Sequence, residues 1–278
     1  MLKLLGHLAI FLLSISLASA TFISLASQIT INEVTQHQTN ISLHITNNGD
    51  ETAQSIQPIL EFNDNQFLGN LIYSMSPGSS NTITIPIETL VTAPGKYPLI
   101  LRTRYSDMNS YAFSSVSPSF LTIQEETVPK VHGTLNELEL SGKGKLNMEI
   151  INQDNKSKAI RIKLYLPKEL TIDKETIYES FSPQSKKQYE FDVERFSALP
   201  GSNYAIFAII EYEEDNKHFS NLLRSSIRII EEKPSLKSKA TIIIATLIMI
   251  IFLISITLIE FKKQKKQESK EQQHENLQ

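Results

Sequence analysis

The stretch Ala240–Ile259 constrains this chain more than any other part of its sequence. It contains 20 residues without a charge, and 13 of them are Ile, Leu or Phe. A helix of this length crosses the hydrocarbon core of a bilayer. Each such residue favours insertion by about 0.3 to 0.6 kcal/mol, which offsets the few Thr and Ser hydroxyls. A buried core helix usually keeps a polar face, so we predict a single transmembrane helix over 240–259.

The N-terminus has the features of an export signal. Lys3 precedes the apolar stretch Leu8–Leu17, and Ala18-Ser19-Ala20 offers a cleavage site of small residues. We therefore predict a signal peptide over 1–20, with an uncleaved anchor as the alternative. Export places the region between signal and span outside the cytoplasm. The lysines directly after the span agree with a cytoplasmic tail over 261–278, whose Lys, Glu and Gln predict disorder.

The ectodomain contains one unit twice, at an offset of about 106 residues. Signals at both ends and in the middle of the unit recur in the same order, which a single large sandwich would not explain. The matched pairs are Ile45 and Ile150, Asn47 and Asn152, Ala53 and Ala159, Ser76 and Ser182, Gly95 and Gly201, Tyr97 and Tyr204, and Tyr105 and Tyr212. We predict two domains, over 21–124 and 125–233.

Each unit has the pattern of antiparallel β-structure. Apolar and polar residues alternate over Ile41–Ile45 and again over Gln54–Phe62, where Pro58 indicates an edge or bulged strand. Asn47-Asn48-Gly49-Asp50 is predicted to be a turn, since Gly and Asn are able to take positive φ. Short strands separated by Pro and Gly predict an all-β fold of two tandem immunoglobulin-like β-sandwiches. The chain has no cysteine, so these sandwiches must be stable through their cores.

The turn motifs resemble those of CARDB-like and related immunoglobulin-like surface modules of prokaryotes. The matching runs are Ile45–Ala53, Ala93–Tyr97 and Tyr105-Ser106-Asp107, with Ile151–Ala159 and Leu199–Gly201 in the second unit. Such modules occur in tandem beside a terminal anchor. The resemblance implies adhesion or an accessory role, and it brings no catalytic residues to this chain.

The residue types needed for catalysis or metal binding do not form a motif. The six histidines make no HxH or HExxH pair, and the nine glycines form no phosphate-binding loop. Oxygen-rich loops at Asn63-Asp64-Asn65 and Asn48-Gly49-Asp50, and the acidic hairpin Glu211–Asp215, suit solvated turns better than calcium sites. Asn40 and Asn155 begin glycosylation sequons. We predict no enzymatic activity, cofactor, metal, or catalytic or binding residues of a small-molecule site.

Charge divides the two units. Residues 21–125 carry 8 acidic and 3 basic side chains, whereas residues 126–238 carry 18 and 17. The small number of charged side chains in the first unit either provides a neutral docking face or is ordinary drift in surface composition. Neither unit has a basic stripe, which argues against nucleic-acid binding.

Two functional hypotheses follow from this layout. The first is a non-enzymatic, single-pass membrane-anchored envelope or cell-surface protein that presents its sandwiches for protein–protein interaction or adhesion. Its distal unit makes contact and its proximal unit acts as a spacer. The second is an accessory subunit of a membrane secretion, export or translocation complex, in which the span itself makes contacts.

Overall fold

A computed structural model describes residues 22–34, 38–91 and 93–231, together with scattered helical positions between Ile244 and Lys262. The predicted signal peptide lies outside the described residues, as does the predicted tail apart from Lys262. All described residues up to Glu231 are strand or loop, which confirms an all-β sandwich fold.

In the part of the chain that the structure describes, the first sandwich has eight strands in two antiparallel sheets. One sheet has the order β1-β2-β6, and the other contains β4, β3, β7 and β8 in that order, with β5 also on β3. The strands are β1 (Leu25–Val34), β2 (Gln38–Asn47), β3 (Ala53–Phe62), β4 (Asn65–Leu68), β5 (Ile72–Met75), β6 (Ser80–Glu88), β7 (Gly95–Ser106) and β8 (Ala112–Ile123).

The second sandwich repeats this plan with nine strands. One sheet has the order β13-β15-β11-β9, and the other contains β14, β12, β16 and β17, with β10 parallel to β17. The strands are β9 (Val131–Leu135), β10 (Leu138–Leu140), β11 (Lys143–Asn152), β12 (Lys158–Tyr165), β13 (Leu170–Ile172), β14 (Thr176–Phe181), β15 (Lys186–Arg195), β16 (Asn203–Glu214) and β17 (Lys217–Ile229).

Strand order and two tyrosines identify both sandwiches as immunoglobulin-like. The sheet β9-β11-β15-β13 has the A-B-E-D order of that fold, and β12-β16-β17 has its C-F-G order. Tyr97, near the start of β7, donates a hydrogen bond to the carbonyl of Ala93 over 2.7 Å. Tyr204, at the same place in β16, accepts one from the N–H of Leu199 over 3.1 Å. These are tyrosine corners, and they explain why the tyrosine recurs in both units.

The repeated asparagine performs the same task in each sandwich. Asn47 is fully buried at the end of β2, where its amide donates to the carbonyls of Glu51 and Met75 over 2.8 and 3.0 Å. Its Oδ1 accepts from the N–H of Gly49 over 3.0 Å. Asn152 ends β11 and makes the equivalent three bonds, to the carbonyls of Lys156 and Ser182 and to the N–H of Asp154. Each asparagine thus closes a turn onto the neighbouring loop and leaves no side-chain polar atom unpaired.

The structure makes two local predictions more specific. Of the two alternatives predicted for the strand that contains Pro58, the structure shows the bulge and not the edge, because β7 flanks it on one side and β4 and β5 flank it on the other. Pro58 lies between the residues that pair with β5 and those that pair with β4. The missing N–H therefore falls where the partner strand changes. Gly49 does not have positive φ; a Cβ there would lie 2.3 Å from the carbonyl oxygen of Phe22, so close approach requires the glycine.

The C-terminal segment from Glu231 to Gln278 is a separate unit. The predicted transmembrane helix falls on residues that are described only in part, and those that are described are helical and exposed. Within the described positions, no helix is long and apolar enough to cross a bilayer.

Candidate functional site

The two sandwiches pack together through an apolar layer of their own. Ile100 of β7 and Val116 of β8 are buried against Tyr165 of β12 and Ile209 of β16. Successive residues of a strand point to opposite faces, so Leu99 and Leu101 fill the first core while Ile100 fills the junction. The strands β7 and β16 are therefore buried on both faces. Their sequences carry the signal of this burial, since neither Leu99-Ile100-Leu101 nor Ile209-Ile210 alternates with polar residues.

A buried carboxylate connects the two sandwiches beside this layer. Glu169 follows β12 and is 1% exposed. It accepts hydrogen bonds from the N–H and the hydroxyl of Ser114 in β8, over 2.7 and 2.8 Å. The Ser114 hydroxyl in turn accepts from the N–H of Lys168 over 2.7 Å. A buried carboxylate with these donors holds the sandwiches in one register, because any shift would leave its charge unpaired.

Ion pairs reinforce the junction at its more exposed side. The Arg161 guanidinium donates to both carboxylate oxygens of Asp64, over 2.9 and 2.5 Å. This contact raises the pKa of Arg161 and lowers that of Asp64. Arg102 of the first sandwich donates to Glu61 over 2.6 Å and to the Leu166 carbonyl of the second over 3.2 Å. The Asn63-Asp64-Asn65 loop, considered above as an oxygen-rich turn, is therefore one side of an interdomain ion pair.

The backbones of the two sandwiches meet at Gly95 and His218. The His218 N–H donates to the Pro94 carbonyl over 2.9 Å, and its ring stacks on Tyr97 with centroids 4.1 Å apart. Thr127 of the linker donates to the His218 carbonyl over 2.8 Å. A Cβ at Gly95 would lie 2.1 Å from that carbonyl oxygen. The segment 124–130 links the two sandwiches, and the contacts here show that packing itself also holds them together.

A cleft of about 710 Å³ opens at this meeting point. Leu90, Val91 and Tyr97 of the first sandwich form one wall, and strands β12, β14, β16 and β17 form the other. His218 lies at its floor, with Nε2 3.3 Å from Glu211 Oε1 and Nδ1 3.9 Å from Glu213 Oε1. Neither ring nitrogen has a hydrogen-bond partner among the described residues, and both are buried. The sequence flagged Glu211 and Glu213 only as part of an acidic hairpin, because their proximity to the first sandwich is a tertiary property.

The remaining residues singled out from the sequence have structural contacts. His44 is exposed and lies 2.9 Å from the Thr82 hydroxyl, and Asp50 accepts from the N–H of Phe22 over 2.7 Å. The sequon residues Asn40 and Asn155 are exposed. His7, His37 and His274 lie outside the described residues. Within the described part of the chain, no three His, Asp or Glu side chains are arranged to hold a metal ion.

The hydroxyl-rich surface of the first sandwich faces outward from the sheet β1-β2-β6. Ser42, His44 and Thr46 of β2 lie within 2.6 to 3.5 Å of polar side chains on the neighbouring strands. Many of these groups therefore bond to one another. This arrangement favours a solvated sheet face over a dedicated docking face.

The other half of the acidic hairpin joins a buried ion-pair network. Lys158 Nζ lies 2.6 Å from both Asp154 Oδ2 and Glu214 Oε1, although its side chain is only 2% exposed. The hydrogen bond from Lys158, together with one from the Asn155 N–H, lowers the pKa of Asp154 to about 2. Glu214 also has a lowered pKa, chiefly because Lys158 bonds to it. These carboxylates stabilise the loop between β11 and β12.

We expect this network to give an acid-sensitive contribution to stability. Because the pKa of Asp154 is lower in the folded chain than in the unfolded one, its contribution is complete above about pH 4 and disappears as the pH falls toward 2. Asp154→Asn should flatten the pH dependence of the unfolding free energy in that window, measured by urea titration at several pH values. Asp173→Asn, at an exposed site, is the control; equal flattening in both variants would contradict the assignment.

Comparison with known proteins gives only loose similarities. No protein-family model matches the chain, and no curated protein matches it. Among solved structures, the E. coli chaperone DraB has 9% identity and a TM-score of 0.27, with 36% of this chain and 54% of DraB covered. The chain thus spans about half of DraB. The periplasmic chaperone SfaE has 16% identity and a TM-score of 0.31, with 74% and 100% covered. The PapD-like domain 7 of human CEP192 has 12% identity and a TM-score of 0.28, with 41% and 96% covered. At these scores the similarity says nothing about function, and the assignment of the chain as an immunoglobulin-like β-sandwich protein follows from its own topology.

Proposed function

We propose that this chain is a non-enzymatic, single-pass membrane-anchored envelope or cell-surface protein whose paired sandwiches bind another protein. The observation that carries the proposal is the junction of the two sandwiches. Its apolar layer, the buried Glu169 and the Gly95–His218 contact unite them into a single compact body. Such a body presents fixed sheet edges and one composite cleft, which suits recognition of a partner.

The proposed anchor is the apolar stretch 240–259, preceded by export through the signal peptide. The CARDB-like turn motifs support the same placement, since modules of that kind stand beside a terminal anchor. The ectodomain would lie outside the cytoplasm and the lysine-rich tail inside. The buried carboxylates of Glu169 and Asp154 are engaged in hydrogen bonds and ion pairs that hold the sandwiches and their loops in place, which fits a binding role.

Protease treatment of intact cells or spheroplasts tests the topology. With one epitope tag after residue 21 and another at the C-terminus, we expect the outer tag to be lost and the C-terminal tag to stay in a protected fragment. Permeabilised cells should lose both tags. Loss of the C-terminal tag from intact cells, with the sandwiches preserved, would contradict the proposed orientation.

The role of the span separates this proposal from an accessory subunit of a membrane complex. Replacing 240–259 by an equally long poly-Leu helix should leave partner crosslinking unchanged if the span is only an anchor. The matched control removes the interdomain contact by Ser114→Ala and Glu169→Ala together, which should reduce crosslinking. If poly-Leu abolishes crosslinking and the control does not, the span makes the contact and the anchor assignment is wrong.

A further inference from the structure

We propose that the interdomain cleft binds a Lys or Arg side chain from an extended segment of the partner protein. The inference rests on the proposed function, since it names the site and the chemistry by which a partner would be recognised. It is carried by four features of the cleft: its size, its charge, its aromatic lining and the strand at its rim.

The cleft has the dimensions of a binding site and exists only in the paired sandwiches. Its volume of about 710 Å³ falls within the roughly 300 to 1,000 Å³ typical of ligand pockets. Leu90 and Val91 of the first sandwich and Tyr178 of the second line it, and Leu90 and Tyr178 are largely exposed. These apolar groups can cover the methylene stem of a long basic side chain while its charged end remains in a polar region.

The charges of the lining favour a cation. The lining contains one permanently basic residue, Arg161, and three acidic ones, Glu179, Glu211 and Glu213. Arg161 is already bonded to Asp64, and Glu179 is paired with Lys187 at 2.8 Å. Among the described residues, the only ion pairs of Glu211 and Glu213 are with His218, at 3.3 and 3.9 Å. Arg161 lies opposite Glu211 on the neighbouring strand and offsets part of its charge. Unbalanced negative charge therefore remains where the side chain of a partner can reach it.

The aromatic residues of the cleft suit the same ligand. Tyr178 is 75% exposed on β14, and Tyr97 and His218 stack with their rings nearly parallel. A guanidinium or ammonium group over an aromatic face is stabilised by about 0.5 to 2 kcal/mol, more when it is desolvated.

The strand at the rim favours a peptide over a free small cation. Among the described residues, β14 is the terminal strand of its sheet and pairs on one side with β12, and its residues Tyr178, Glu179 and Ser180 line the cleft. An extended segment can add to such an edge through its backbone and place alternate side chains in an adjacent pocket. Lys187 already donates to the Ser180 carbonyl over 3.0 Å, which caps that end of the edge and directs a segment toward Tyr178.

Fluorescence anisotropy with two labelled, end-blocked peptides tests the proposal on the detergent-solubilised full chain. One peptide is Thr-Val-Lys-Val-Thr and the other has Gln in place of Lys. We expect the Lys peptide to bind at least about tenfold more tightly, and less tightly at 0.5 M salt. Glu211→Gln and Glu213→Gln should each weaken its binding about tenfold or more. Glu194→Gln, on an exposed site of β15, should leave it unchanged.

Each other outcome overturns the inference. Equal binding of the two peptides, or no loss in either cleft variant, removes the cleft as a basic-peptide site. So does binding of lysine methyl ester as tight as that of the peptide, since the site would then recognise a small cation. Crosslinking in cells separates this failure from failure of the proposed function. If the variant with both Glu211→Gln and Glu213→Gln still crosslinks to the protein that the wild-type chain binds, only the assignment of the cleft as the binding site is wrong. If the wild-type chain crosslinks to no protein, the proposed function falls as well.

Discussion

Replacing Gly95 by alanine should separate the two sandwiches and lower the free energy of unfolding by about 3 kcal/mol or more. The added Cβ would lie 2.1 Å from the backbone carbonyl oxygen of His218, which cannot move without breaking the contact between β7 and β17. Gly95 also has φ of 149°, a conformation that alanine adopts only with strain. Urea unfolding of the full chain, followed by circular dichroism, measures the loss. Limited proteolysis within 124–130 should become faster.

The repeat supplies a matched control for this substitution. Gly201 occupies the same position in the second unit and has φ of 82°, but a Cβ there would meet no atom within 4 Å. Gly201→Ala should therefore cost about 1 kcal/mol, from backbone strain alone, and should leave the linker protected. The difference between the two variants isolates the close approach of the sandwiches. Equal losses would show that the Gly95 contact contributes nothing to the junction.

Replacing either Asn47 or Asn152 by aspartate should lower the free energy of unfolding by about 3 kcal/mol. Each asparagine amide donates to two backbone carbonyls in a fully buried position. A carboxylate has the same shape but no donor, so it would place a buried charge against two carbonyl oxygens. Because the two sites lie in different sandwiches and share no partner, the losses in the double variant should add.

The neighbour Asn48 provides the control for the asparagine series. It lies in the same turn as Asn47 but is exposed, so Asn48→Asp should change the unfolding free energy by less than about 0.5 kcal/mol. Thermal and urea unfolding of the four variants and the wild type give the comparison. If Asn48→Asp and Asn47→Asp lose the same free energy, added charge on the turn is the cause and the buried bonds are not.

The repeated units and their β-sandwich class were predictable because their signals are local. Alternation over Ile41–Ile45 follows from one buried face, and the recurrence of Asn47 and Tyr97 marks a turn and a corner that each unit must build. The chemical task of Asn47 was not visible, since its carbonyl partner at Met75 lies 28 residues away. The domain limits at 124 and 125, the signal peptide and the span stay predictions.

The junction and its cleft were missed for a physical reason. Packing between sheets joins residues that are distant in sequence, such as Ser114 and Glu169, and no local periodicity records which face meets which. The available signal was the absence of alternation in Leu99-Ile100-Leu101, which indicates burial on both faces. Gly95 and Gly201 recur at the same place in the two units, but only Gly95 meets the backbone of the other sandwich.

The buried carboxylate of Glu169 restricts how sandwiches of such chains can be exchanged between proteins. The donors to this carboxylate belong to Ser114 of the other sandwich. If one sandwich is exchanged by itself, either the carboxylate or its donors remain in the buried interface without a partner. A chimaera that joins sandwiches from two different proteins at the linker therefore lacks the matched hydrogen bonds of this interface. Recombination that preserves the fold must exchange the two sandwiches together.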